Sequence, residues 1–135
     1  MTDIERIFHA WHDHAKARAI EALAALYAED AVFESPLVAA VLGQGSEPVL
    51  RGRAAILAFM LRGAQGRPDD LLKWYRTGEY FTNGRTLIWE YPRETPEGEQ
   101  IDVVEVMEIA EGLIAAHRVY FGSKGCARIA PLLAG

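Results

Sequence analysis

The chain predicts an α+β fold, with helices packed on one face of a curved antiparallel sheet. Two observations carry this. Apolar residues recur at three- and four-residue spacing only before residue 61. From Leu71 onward they alternate instead, and the longest alternating stretch, Ile101 to Phe121, is a hairpin with an acid and an imidazole on its apolar side.

Residues 3–17 read as an amphipathic helix with Ile4, Ile7, Phe8, Trp11 and Ala15 on one face and Thr2 or Asp3 as its cap. His9, His12 and His14 crowd the same segment. His9 and His12 could share a metal, but no third ligand stands at a convincing spacing, and a solvated helix face is the favoured reading. A second helix is expected from Ala19 to Ala28, with Ile20, Leu23, Leu26 and Tyr27 inward. Residues 31–35 form a short strand stopped by Pro36. Residues 37–52, with three glycines and a proline, read as loop, and 53–61 as a third helix with Ile56, Phe59 and Met60 inward.

Strands are then expected over 71–80 and 85–91, joined at Thr82-Asn83-Gly84, with Leu87, Trp89 and Tyr91 on one face. Residues 92–100 read as an exposed loop. In the hairpin, Glu105, Met107 and Ile109 share a face, as do His117, Val119 and Phe121; Asp102, Val104, Val106 and Glu108 oppose the first group. The tail from Gly122 holds Gly125 and Pro131 and little that would order it. One domain accommodates all 135 residues.

Composition narrows the function classes. Fourteen Lys and Arg against 19 Asp and Glu give a net charge of −5 and no basic stripe, which argues against a nucleic-acid partner. The single cysteine, Cys126, excludes an internal disulfide and suits a reducing compartment. No run approaches the ~18 apolar residues of a membrane span, and the acidic start Thr2-Asp3-Ile4-Glu5 is unlike a signal peptide. The expectation is a cytoplasmic protein without membrane attachment.

Leu26 to Pro36 (LYAEDAVFESP), Gly45 to Pro48, Arg51 to Phe59 (RGRAAILAF), Trp89-Glu90-Tyr91 and Gly112 to Gly122 (GLIAAHRVYFG) together resemble the ketosteroid isomerases. Those enzymes group with SnoaL-like polyketide cyclases and epoxide hydrolases in the nuclear transport factor 2-like superfamily. The resemblance spans almost the whole chain. It implies a cone-shaped barrel of three helices on a strongly bent antiparallel sheet, a homodimer through the sheet's outer face, and an apolar pocket that works without a cofactor. The implied chemistry is acid–base isomerisation, cyclisation or hydrolysis of a steroid- or polyketide-like molecule. A ligand-binding or assembly domain without catalysis is the alternative.

Carried over residue by residue, the resemblance puts Trp11 where the isomerases have an oxyanion-binding tyrosine. It puts Glu105 where they have a carboxylic acid kept neutral by apolar surroundings. Ser35, before Pro36, stands where they carry a catalytic aspartate. Glu105 is thus expected as proton donor or oxyanion stabiliser, His117 as base, and Trp11 and Ser35 as positioning donors. Phe33, Phe59, Trp89, Tyr91, Met107, Val119 and Phe121 would line the pocket, the usual apolar setting for a few polar groups. Structural alternatives stand beside these roles: Glu105 could pair with Arg76 or Arg118, and His117 could be a core histidine satisfied by a carbonyl.

Overall fold

The computed structural model describes residues 1–43, 45–65, 79–94 and 100–133. Helix α1 (Asp3–Ala17) starts at a capping box: Glu5 N–H donates to Thr2 Oγ1, and Thr2 N–H donates to the Glu5 carboxylate, both at 3.1 Å. It ends at Arg18, whose φ of 54° is left-handed. Helix α2 (Ile20–Ala24), strand β1 (Tyr27–Glu34), helix α3 (Leu37–Leu42), strand β2 (Val49–Arg51) and helix α4 (Arg53–Gln65) follow. The rest is β3 (Phe81–Thr82), β4 (Thr86–Glu94), β5 (Gln100–Ala110), β6 (Leu113–Phe121) and helix α5 (Ser123–Leu133).

The six strands form one sheet in the order β2-β1-β6-β5-β4-β3. It is antiparallel except for the β1–β6 ladder, which is parallel and sets Phe33 opposite His117. Two residues, Glu111 (φ 53°) and Gly112 (φ 77°), make the β5–β6 turn; two successive left-handed residues match the right-handed twist of a tight hairpin. Arg6 Nη2 donates to the Gly112 carbonyl at 2.5 Å and so ties α1 to this turn. Register then fixes one inner row after another: Trp89 pairs with Glu105 and Glu105 with Val119, while Leu87 pairs with Met107 and Met107 with His117. The helices cover this side, α1 over β4 and β6 and α4 over β1. The core is Ile4, Ile7, Phe8, Trp11, Leu23, Tyr27, Ile56, Phe59, Leu87, Trp89, Val103, Met107 and Ile114.

The α+β class and the long hairpin stand as expected. Several local expectations do not. The second helix stops at Ala24, and Tyr27 is the first residue of β1, because it pairs with Ile114 and Ile114 N–H donates to the Leu26 carbonyl. Sheet pairing there overrides a helical pattern. Residues 37–52 are not plain loop: the apolar run Leu37–Leu42 is helix α3 and Val49–Arg51 pairs with β1. The tail is ordered as α5, whose Ile129 is buried. Gly125 lets that helix approach closely, since a Cβ there would lie 2.9 Å from the Phe121 ring. The helices therefore exceed the expected three. Most of the strand expected at 71–80 lies outside the described residues; Tyr80 precedes the short β3. Strand β4 also runs on to Glu94, into the expected loop.

Candidate functional site

The strand faces and α1 bring four polar side chains into one buried line. Trp11 Nε1–H donates to Tyr27 Oη at 3.4 Å, Tyr27 Oη lies 2.7 Å from His117 Nδ1, and His117 Nε2 lies 2.5 Å from Glu105 Oε1. Glu105 is 3 % exposed and His117 1 %. Phe33 meets the imidazole edge to face at 4.9 Å, Trp11 does so at 6.2 Å, and Phe59 backs Phe33 at 5.3 Å.

Counting donors assigns the direction of this chain. Burial, and the negative field of Glu105, push the Tyr27 phenol pKa well above its ordinary value, against the opposing hydrogen bond from Trp11. Tyr27 therefore keeps its proton. The indole can only donate, so the phenol oxygen accepts from Trp11 and its own O–H goes to His117 Nδ1. That leaves His117 as the tautomer with Nε2–H, which donates to the Glu105 carboxylate. The opposite tautomer would leave the buried phenolic proton with no acceptor among the described residues, at a cost of about 1–3 kcal/mol. Toward His117, Glu105 Oε1 is thus an acceptor, a contact that does not bear on its expected role as donor to a ligand. Both ring nitrogens of His117, expected as a base, face protein groups: Nδ1 the Tyr27 hydroxyl and Nε2 the Glu105 carboxyl.

Ser35 belongs elsewhere. It is fully buried, but its Oγ accepts the Leu37 N–H at 3.1 Å and its N–H donates to the Pro48 carbonyl, so it shapes the entry to α3. No hydrogen bond joins it to Glu105 or His117 among the described residues. Trp89, Met107 and Val119 are buried on the inner face as expected, and Phe121 is half-buried under α5. The Tyr91 backbone pairs with Val103; its side chain lies outside the described residues, as does Arg76. Arg118 pairs with Glu108 at 3.3 Å, not with Glu105.

Two contributors were not singled out in the sequence. In the sequence Tyr27 reads as core packing on a helix. His12 reads as part of a solvated face, yet it is 3 % exposed, with Nδ1 2.8 Å from the Phe8 carbonyl. The signal was its spacing, four residues from Phe8 and eight from Ile4. No metal-holding group of His, Cys, Asp or Glu occurs among the described residues.

Burial, the largest influence, lowers the His12 pKa below the usual 6.5; the His9 and Lys16 charges act the same way, against the Phe8 carbonyl and Glu105. A depressed histidine pKa means that the unfolded chain binds the proton more readily. The neutral-ring contribution is thus complete above pH 6.5 and is lost as pH falls below it. Urea unfolding at pH 7 and pH 5 should show wild type losing more stability on acidification than His12→Leu. Equal losses would contradict a buried neutral His12.

A family model described as SnoaL-like domain matches residues 4–117, and the chain belongs to that family. Its fold is similar to that of a ketosteroid isomerase candidate from Kribbella flavida, at 22 % identity, TM-score 0.66, over 90 % of this chain and 78 % of that one. It is also similar to a nuclear transport factor 2-like protein of unknown function from Burkholderia pseudomallei, at 13 % identity, TM-score 0.69, over 96 % and 98 %. TerC co-crystallised with polyporic acid matches at 14 % identity, TM-score 0.69, over 95 % and 98 %. No curated protein matches the sequence. No described helix is long and apolar enough to cross a membrane.

Proposed function

We propose that the protein is a cofactor-independent acid–base enzyme acting on an apolar, polycyclic small molecule, an isomerase, cyclase or hydrolase in kind. The observation that carries this is the Trp11–Tyr27–His117–Glu105 chain, which sets a buried carboxyl group against the His117 imidazole. Such a carboxylate, held by an imidazole N–H, is suited to taking a proton from a weakly acidic C–H or O–H and returning it elsewhere on the same molecule. His117 and Tyr27 position it, and Trp11 closes the far end. TerC's co-crystal with polyporic acid is consistent with an organic ligand in a related fold.

The test is proton exchange. 2-Tetralone, an apolar carbon acid, is incubated with the protein in deuterium oxide and its C1 position followed by NMR. Exchange faster than in buffer, lost in Glu105→Gln, supports the enzyme. Binding without accelerated exchange contradicts it and favours the second reading, a ligand-binding or assembly domain, which the structural use of the Ser35 hydroxyl supports.

A second copy of the chain is the partner proposed for the outer sheet face. Ile88, Val104 and Val106 are only half-buried there, and Phe81 and Tyr120 are 72 % and 54 % exposed. Phe81 pairs with Ile88 and Ile88 with Val106, a continuous apolar row. Val106→Glu is expected to convert a dimer to monomer in sedimentation; an unchanged mass would remove this face as the interface.

A further inference from the structure

Two buried polar atoms beside the carboxylate have no hydrogen-bond partner among the described residues: His12 Nε2 and Trp89 Nε1. They are chemically complementary. The Phe8 carbonyl can only accept, so His12 Nδ1 carries the proton that it donates there, and Nε2 of the neutral ring is an acceptor. The Trp89 indole N–H is a donor. The two rings are in tilted contact, with centroids 5.0 Å apart, so the unpartnered acceptor and donor belong to neighbouring side chains. Around them stand Phe8, 4.5 Å from the His12 ring and 5.6 Å from Trp89, and Trp11, 5.4 Å from Trp89. Trp89 pairs with Glu105 across the β4–β5 ladder, so this pair adjoins the proposed proton acceptor.

We propose that His12 and Trp89 form a hydroxyl-recognition site, in which a ligand O–H donates to His12 Nε2 while its oxygen accepts from Trp89 Nε1. A group that only donates, or only accepts, leaves one of the two buried atoms unpaired, so the pair selects a phenol, enol or alcohol over an ether, a ketone or a plain hydrocarbon. The ligand class is thereby an aromatic or polycyclic molecule with a hydroxyl placed near the reacting carbon. This rests on the ligand-pocket reading above and deepens it.

The test compares 2-naphthol, 2-methoxynaphthalene and naphthalene by calorimetric titration of the wild-type protein. 2-Naphthol is expected to bind at least about tenfold more tightly than either of the others. That advantage should shrink in Trp89→Phe and in His12→Phe. Should either variant fail to fold, the wild-type spectrum decides: 2-naphthol should move the Trp89 indole N–H and the His12 Nε2 resonances, and naphthalene should not. Equal affinities with no movement of these signals overturn the hydroxyl site and leave the pocket intact. Failure of all three to bind overturns both.

Discussion

His117→Phe is expected to lower the unfolding free energy at pH 7 by about 1–3 kcal/mol for each buried polar group that it leaves without its partner. The phenyl ring fits the aromatic setting of Phe33 and Trp11, so loss of packing volume is small. What is lost is chemical. Glu105 loses the Nε2–H that faces its Oε1, and Tyr27 loses the acceptor for its O–H. The double variant Glu105→Leu/His117→Phe should recover much of the loss, because it withdraws both polar groups and substitutes apolar ones. A double-mutant cycle by urea denaturation measures this. Additive single and double effects would mean that the two residues do not interact in the folded protein.

The second large effect concerns chemistry. Glu105→Gln keeps a carbonyl oxygen to accept from His117 but removes a basic carboxylate. Stability should therefore change little, while accelerated exchange at the tetralone C1 should fall about 10²-fold or more, the range general-base catalysis supplies. Tyr27→Phe should give a smaller loss of exchange together with about 1–3 kcal/mol of stability, since it frees the imidazole to change tautomer and strands the Trp11 N–H. Retained exchange in Glu105→Gln would move the proton acceptor to another residue.

How far the sequence alone reached depends on what each residue's neighbours were. The hairpin was legible because period-two alternation leaves little choice of face: once Met107, Val119 and Phe121 are inward, Glu105 and His117 must be too. That also put the acid and the imidazole on adjoining strands in register positions two residues apart. Helix α5 was not legible, since Gly122, Gly125 and Pro131 are local breakers; its order comes from packing against Phe121 and from burying Ile129. Tyr27 completes a helical pattern with Ile20 and Leu23, and only pairing with the distant Ile114 makes it a strand residue. As a result its hydroxyl was not connected to His117. His12 was judged with His9 and His14, its neighbours in sequence, when its neighbours in space are Phe8, Trp11 and Trp89. Ser35 was carried over from a family position, and the hydrogen bond that occupies it depends on α3, a helix the loop-like composition of 37–52 concealed.

The central claim is a directed hydrogen-bond chain running from Trp11 through Tyr27 and His117 to Glu105. Long-range proton–nitrogen NMR of ring-labelled histidine measures it most directly. The structure predicts one buried imidazole with Nδ1 unprotonated and Nε2 protonated at neutral pH, its Nε2 proton shifted far downfield and slow to exchange. For His117, a ring protonated at Nδ1 alone, or an Nε2 proton that exchanges at the rate of a solvent-exposed histidine, would contradict it.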